Sequence, residues 1–325
     1  MQLRPALAVS VLVAALVTIA LAVPAKKPKR TSVAGVEWYA SMGDAIAEAK
    51  RGDKPILLLS MFGKLDEPMP CANARTLRAT LFQDPEFRKL VTEDVVPAWE
   101  MVRAVPKVEI DLGDGKKIVR TVRGNAVMYL CTPEGRVIDA YPGVYTAKDF
   151  LPMVRDSLAL ADASPEKIRA YHRDRGAVPP PTAATMGKAV LESPTLDLIG
   201  AQPTNGAIDP RTSSSDPDEA KFLAAARRIT DLSLQPMPPA TAVRSITGRT
   251  GIGEDPKKLA AEIMTRDSQN NVARVRPVVH LYLASCKELP TTLEARDAIL
   301  ETILKIPYKD PYFGLNDVLL PGTPH

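Results

Sequence analysis

Two short, continuously apolar runs constrain the fold of this chain more than any other feature of its sequence. The run at 56–61 reads ILLLSM, and the run at 95–102 reads VVPAWEMV. Ahead of the first run lies an amphipathic segment that Ser41 is placed to cap and that Asp53 ends. A strand with apolar side chains on both sides needs cover on both faces of its sheet. The sequence therefore predicts buried strands at both runs.

The remaining patterns of the first half complete an alternation of helices and strands. They are a helix opening at Cys71, a helix with Asp84 as N-cap and Pro85 in its first turn, a hairpin at 108–122 with a Gly113–Gly115 turn, a strand pair at 126–143 joined by Thr132–Gly135, and a helix capped by Thr146. The order is helix, strand, helix, strand, hairpin, strand, strand, helix. This order predicts an α/β fold with a mixed sheet and helices on both faces.

Three segments together resemble the thioredoxin-like superfamily. They are WYASMGDAIAEAKRGDKPILLL at 38–59, the helix that opens at Cys71, and GNAVMYLCTPEGRVIDAYPGVYTAKDFL at 124–151. The resemblance covers residues 36–161 and implies a thioredoxin-like mixed sheet with flanking helices over that range. One fold hosts many activities, so the resemblance implies a fold rather than a reaction.

Two positions depart from the disulfide-exchanging members of that superfamily. Those members carry a pair of cysteines separated by two residues at the start of the first long helix, and here the two positions are Pro68 and Cys71. They also place a cis-proline ahead of the strand that faces the thiol, and here the dipeptide is Asn125–Ala126. A cis bond before a non-proline residue costs about 2.5–4 kcal/mol, so a trans bond is expected. Both departures argue against a dithiol oxidoreductase.

Cys71 is the candidate catalytic residue. A thiol at a helix N-terminus lies in the positive end of the helix dipole, which favours the thiolate, whereas Asp66 and Glu67 just upstream oppose ionisation. Three interpretations stay open: a monothiol that forms mixed disulfides, a structural thiol, and a soft Cu(I) site that includes Met61 or Met69. The copper site lacks a histidine or a second cysteine.

The other cysteines and histidines indicate no further site. They are Cys131, Cys286, His172, His280 and His325, and they form neither a C-x-x-C pair nor a histidine motif of metal sites. Cys131 follows Ala126 by five residues on a strand, which places it about 16 Å along the strand, whereas a disulfide needs Cα atoms within about 7 Å. We expect a buried Cys131, a core position for His280, and neither a metal nor another cofactor.

The first 25 residues are a candidate signal peptide or N-terminal membrane anchor. Arg4 precedes an apolar run that is long enough to span a bilayer, and Ala20–Ala22 fits the small-x-small pattern of signal peptidase sites. A basic segment follows at 26–35. The sequence predicts an exported protein, either cleaved and secreted or anchored by residues 6–25.

The body of the chain carries almost no net charge. The formal charge is +4, but five basic residues lie within residues 1–30, so 37 basic residues face 38 acidic ones in the remainder. Nucleic-acid binding needs a basic surface that neutralises phosphates. No nucleic-acid partner is therefore expected, and membrane contact is expected only through the N-terminal segment.

The second half of the chain is predicted to contain a linker and a helical module. Residues 162–217 are rich in Pro, Ser and Thr after one short helix capped by Ser164, which is typical of a linker. Helical patterns predominate from 218 to 325. A cut within 177–217 is expected to release two separately folded pieces.

Three features describe the C-terminal module in more detail. Thr291 and Glu294 have capping-box spacing, and Pro277 should kink or restart its helix. The tail at 307–325 is irregular and aromatic, and we expect it to pack against the helices of the module.

These features together predict an exported, thioredoxin-like protein without a dithiol active site. The first hypothesis is a binding or scaffold protein of the cell envelope, whose partner is another envelope protein. The alternative is a monothiol enzyme of thiol-disulfide exchange that uses Cys71. The two differ in one property, because the enzyme needs Cys71 exposed and largely ionised and the scaffold does not.

Overall fold

The structure, a computed structural model, describes residues 28–177, 265 and 267–315, apart from the side chains of Ile118 and Arg120. The candidate signal or anchor, the linker beyond residue 177 and the first helical patterns after residue 218 lie outside the described residues. In the part of the chain that is described, no helix has both the length and the hydropathy needed to cross a membrane.

The described residues include eight strands and seven α-helices with complete bounds, in addition to the helical residues 267–270. The strands are β1 (Arg30–Val33), β2 (Val36–Tyr39), β3 (Ile56–Met61), β4 (Val96–Met101), β5 (Lys107–Asp111), β6 (Lys117–Thr121), β7 (Ala126–Cys131) and β8 (Val137–Pro142). The helices are α1 (Met42–Gly52), α2 (Ala72–Ala79), α3 (Pro85–Glu93), α4 (Ala147–Leu158), α5 (Pro165–Arg175), α6 (Arg276–Ser285) and α7 (Thr292–Asp297). Two π-helical segments, Asn271–Val275 and Ala298–Ile303, directly precede α6 and follow α7.

The main sheet is mixed and has the spatial order β1–β2–β4–β3–β7–β8. Strands β2, β4 and β3 are parallel to one another, whereas β7 is antiparallel to β3 and β8 to β7. The ILLLSM run forms β3, in which every side chain is buried. β3 lies inside the sheet between β4 and β7, and the burial of all its side chains shows that both of its faces are covered, which explains its continuous apolar sequence. The predicted α/β fold with a mixed sheet and flanking helices is confirmed.

The predicted hairpin is also present, as a separate two-stranded sheet of β5 and β6. Gly113 and Gly115 in its turn have φ values of +78° and +81°. These left-handed conformations favour glycine, because a side chain would clash with the backbone. The hairpin lies in the chain between β4 and β7, where the sequence predicted it.

The predicted helix starts are confirmed by side-chain caps. The capping residues are Ser41, Asp84, Thr146, Ser164 and Thr291, each of which accepts a hydrogen bond from a backbone N–H in the first turn of its helix. Thr291 and Glu294 form the full capping box. The chain is helical from Asp267 to Ser285, and it changes from π-helical to α-helical at Arg276, beside Pro277.

The described C-terminal residues pack on the main sheet. Arg276 of α6 forms a buried ion pair with Asp139 of β8, and the backbone N–H of Val137 donates to Pro290 O at 2.8 Å. Apolar side chains of α6 and of the residues after it belong to the same hydrophobic core as β3. Because α6 covers β8 at the sheet edge, we expect the two halves of the chain to stay together after a cut. The residue boundaries of the linker and the module stay predictions.

Candidate functional site

Cys71 lies at the edge of the sheet where the parallel strands β3 and β4 end. These strands end at Met61 and Met101, and β7 begins at Ala126 beside Met61. Cys71 is the N-cap residue of α2, and its backbone N–H donates to Phe62 O at 3.1 Å. Ligands of open α/β sheets bind outside the carboxyl ends of the strands. This edge is therefore the candidate functional site.

The Cys71 side chain is fully buried at this edge. Gly124 has a φ of +98°, and a Cβ built on it would lie 2.9 Å from Cys71 Cβ and 3.2 Å from Phe62 Cβ. The Gly124 backbone therefore packs directly on the cysteine. Cys71 Sγ donates a hydrogen bond to Asn125 O at 3.3 Å, which a thiolate cannot do. Burial and this hydrogen bond both suit a structural thiol.

Two buried arginines of α2 place positive charge near the sulfur. Arg78 Nη1 donates to Leu65 O and Glu67 O, both at 2.8 Å, and so holds the loop ahead of α2 in place. Burial, followed by the charge of Arg75, lowers the pKa of Arg78 to about 10, and interaction with the Cys71 sulfur counteracts this shift. The guanidinium of Arg78 thus lies within electrostatic reach of Cys71, an arrangement also found around reactive thiols.

The side chains that could share a Cu(I) ion with Cys71 have other contacts. Met69 Sδ lies 3.8 Å from Arg75 Nη1, so a cation at this sulfur would face a positive charge. Met61 is buried within β3. Glu67 folds back on its own loop, where Oε1 accepts from the Lys64 N–H at 2.9 Å. This arrangement does not fit a copper site.

A buried amide pair joins the start of α2 to the start of β7. Asn73 Nδ2 donates to Asn125 Oδ1 at 2.5 Å, and the same oxygen accepts from the Ala126 N–H at 2.8 Å. Every peptide bond of the described residues is trans, as expected for Asn125–Ala126. The pair fixes the loop that holds Gly124 against Cys71. Sequence reasoning missed it, because asparagines distant in the chain carry no pairing signal.

Residues 307–315, here called the C-terminal segment, lie at the same edge of the sheet. Phe313 is fully buried, and its ring centroid lies 5.1 Å from that of Phe62. Arg123, next to Gly124, donates from Nη1 to Phe313 O at 3.0 Å. The aromatic tail was expected to pack on C-terminal helices, and Tyr308 and Lys309 do bind Asp297 of α7. Phe313 in addition covers residues that surround Cys71.

A buried polar cluster links β8, α5 and α6 away from this edge. Asp139 forms a bidentate ion pair with Arg276, at 2.6 Å from Nη1 to Oδ1 and 2.8 Å from Nη2 to Oδ2. Asp139 Oδ2 also accepts from Ser157 Oγ at 2.5 Å. Burial opposes ionisation of Asp139, but the Arg276 guanidinium overrides it and holds the pKa of this carboxyl well below its usual range.

Two histidines meet beside this ion pair. His172 Nδ1 and His280 Nδ1 are 2.7 Å apart, and His172 Nε2 lies 2.7 Å from Ile138 O. A carbonyl only accepts, so Nε2 of His172 carries a hydrogen and its Nδ1 accepts from the Nδ1–H of His280. Burial, opposed in part by Asp139, lowers the pKa of His172. Burial and then the charge of Arg276 lower the pKa of His280 to about 3.

The cluster also has the composition of a possible metal centre. Ligand atoms of Asp139, His172 and His280 lie within 4.8 Å of one another. Both carboxylate oxygens of Asp139 already accept from Arg276, whose charge would repel a cation. Two nitrogens on one tetrahedral zinc ion lie about 3.3 Å apart, farther than these two. The donors fit a hydrogen-bonded structural cluster better than a metal centre.

Cys131 and Cys286 lie away from Cys71. Cys131 pairs with Ile56, at the end of β3 opposite to Met61, and burial raises the pKa of its thiol well above the usual range. Cys286 is half-buried after α6. No disulfide joins the three cysteines, all of which lie within the described residues. The prediction of a buried Cys131 is confirmed.

Comparisons of this chain with protein-family models, with curated proteins and with solved structures found no match. The thioredoxin-like resemblance therefore stays a prediction, and a function has to be inferred from the geometry of the site.

Proposed function

We propose that this chain is an exported, thioredoxin-like protein without a dithiol active site, which serves as a binding or scaffold protein of the cell envelope. The observation that carries the proposal is the burial of Cys71 beneath Gly124. A thiol that attacks a disulfide must be accessible and largely ionised. Here the Cys71 side chain is fully buried, Gly124 packs against it, and the thiol hydrogen is donated to Asn125 O.

Strand and chain order support the thioredoxin-like part of the proposal. The chain runs through β3, α2 with Cys71 at its start, α3 and β4, and then through β7, β8 and α4. The sheet order β4–β3–β7–β8, with β3 and β4 parallel and β7 and β8 antiparallel, fits the same resemblance. The β5–β6 hairpin is then an insertion ahead of β7.

The N-terminal sequence supports export. Residues 1–25 combine Arg4, a long apolar run and the small-x-small pattern at Ala20–Ala22. An exported chain with a covered thiol and an almost neutral body would act by contact with another envelope protein rather than by chemistry on nucleic acid.

A monothiol exchange enzyme is the second candidate, and the position of Arg78 near Cys71 favours it. In such an enzyme the Cys71 thiolate attacks one sulfur of a substrate disulfide, a mixed disulfide forms, and the other sulfur leaves as a thiolate. This reaction requires Gly124 and Phe62 to move away from the sulfur.

Alkylation of the native protein, followed by peptide mapping of each cysteine, separates the two candidates. Cys286 is a half-buried internal reference, and Cys131 is a fully buried one. We expect Cys71 to react as slowly as Cys131 in the folded protein and to react fully in urea. Cys71 labelling that outpaces Cys286 and saturates below pH 7 would replace the scaffold with the enzyme.

A further inference from the structure

We propose that the carboxyl edge of the main sheet is a binding site for an extended, aromatic-containing peptide segment of a partner protein, and that the C-terminal segment is its resident ligand. The proposal rests on the proposed binding function and names the chemical class of the partner. The site is bounded by Phe62 after β3, Arg103 after β4 and Arg123 ahead of β7.

The site recognises the main chain of the resident segment. Arg103 Nη1 donates to Tyr308 O at 2.9 Å and to Asp310 O at 2.6 Å, and its Nη2 donates to Pro311 O at 3.1 Å. Arg123 Nη1 donates to Phe313 O at 3.0 Å. All four acceptors are backbone carbonyls, which every peptide offers. These contacts therefore select an exposed chain segment rather than a particular sequence.

One aromatic ring supplies the selective contact. The Phe313 ring packs on Phe62, and the Arg103 guanidinium lies 5.0 Å from the Phe313 ring centroid, within the range of a cation–π interaction. The neighbouring Tyr312 is 61% exposed. A Cβ on Gly314 would lie 2.7 Å from Arg123 Nη1. The ligand class is therefore an aromatic residue followed by glycine, within a segment whose carbonyls face the arginines.

The resident segment is held in a conformation that favours its replacement. Phe313 within the segment and Lys305 just ahead of it have φ values of +59° and +54°, a left-handed conformation that is unfavourable for residues with a side chain. A peptide that presents its ring without this backbone strain binds the same groups at a lower conformational cost. The C-terminal segment is thus suited to give way to a partner.

Two variants weaken the resident segment and leave the binding groups unchanged. Phe313→Ala removes the ring, and Gly314→Ala forces a Cβ against Arg123. The probe is a fluorescein-labelled synthetic peptide with the sequence of residues 305–316, and its fluorescence anisotropy is measured with the full-length protein. We expect both variants to bind the probe at least ten-fold more tightly than the wild type. Adding Arg103→Gln to either variant should abolish this gain in affinity. A probe with alanine in place of its phenylalanine should show no such gain in affinity for the variants.

If circular dichroism shows that Phe313→Ala is unfolded, the binding result with Gly314→Ala decides. Unfolding of both variants would overturn the proposal, because the segment would then be an integral part of the core. Equal binding by folded variants and wild type would exclude a peptide site. A concentration-dependent dimer of the variants would assign the site to a second copy of the chain. Cys71 alkylation remains independent, because a reactive Cys71 would refute the scaffold without affecting probe binding.

Discussion

His172 Nδ1 and His280 Nδ1 lie 2.7 Å apart inside the protein, and one hydrogen fills the space between them. This hydrogen bond forms only while one of the two Nδ1 atoms carries no hydrogen, so both rings cannot be charged at once. A proton added to His280 would place a positive charge in a buried site near the Arg276 guanidinium, and both effects lower the pKa of His280. The contact between α5 and α6 therefore depends on pH.

Stability should fall as the pH drops from about 6.5, the usual pKa of histidine, towards 3. Burial holds the pKa of His280 at about 3 in the folded protein. Between these values the unfolded chain binds a proton that the folded chain does not. The free energy of unfolding should then decrease by about 1.4 kcal/mol per pH unit for this residue, and not change above pH 6.5. Urea unfolding at pH 7.5, 6 and 5 measures the slope.

His280→Gln is the matched control for the pH slope. Its amide can donate to His172 Nδ1 and does not titrate, so the slope between pH 7 and 5 should shrink. Asp139, whose pKa is depressed, loses its stabilising effect only below about pH 3.9, outside this window. An unchanged slope in His280→Gln would contradict the buried neutral histidine.

Arg276→Met should destabilise the protein by about 3–5 kcal/mol, because it leaves the Asp139 carboxylate buried without its counter-charge. The double variant Asp139→Asn, Arg276→Met removes both charges and should recover most of the loss. Chemical unfolding of both variants gives the comparison. Equal losses would show that packing of the arginine, and not the unpaired charge, accounts for the effect.

Gly124→Ala should cost more stability than Gly35→Ala. Gly35 has a φ of +78° with nothing within 4 Å of an added Cβ, so its substitution costs only the left-handed conformation, about 1 kcal/mol. The Cβ on Gly124 also meets Cys71 Cβ at 2.9 Å, which adds about 1–3 kcal/mol. Thermal unfolding of the two variants tests the difference. Equal melting temperatures would refute close packing of Gly124 on Cys71.

A cut in the predicted linker should leave the two halves of the chain together. An engineered protease site at 200–210 allows the cut, and we expect the fragments to co-elute in gel filtration and to unfold in one transition. The buried ion pair between Asp139 and Arg276 and the shared hydrophobic core should hold the two fragments together. The same cut in Arg276→Met is the control and should weaken the association. If the wild-type fragments separate in native buffer, the two halves of the chain fold independently of each other.

Local features of the fold were predictable from the sequence. The caps at Ser41, Asp84 and Thr146 depend on side chains within a few residues of the N–H groups they bind. The buried strand at 56–61 can be recognised from its continuous run of apolar residues. Cys131 could be placed away from Cys71 because strand geometry fixes distance along a strand.

The arrangement around the site could not be predicted in this way. Cys71 and Asn125 are 54 residues apart in the chain, and His172 and His280 are 108 residues apart. Contacts of this kind depend on how whole helices and strands pack together. The periodicity of one segment carries no information about which distant segment it contacts. The sequence could therefore identify Cys71 as a candidate but could not show that Gly124 buries it.

The ion pair between Asp139 and Arg276 joins residues that are 137 positions apart. Strand β8 is synthesised long before the helix that covers it, so the core of the sheet stays incomplete until α6 has been synthesised. Contacts between such distant residues also slow folding, because the loop must close before they form. Completion of this core is therefore a late step in the folding of the chain.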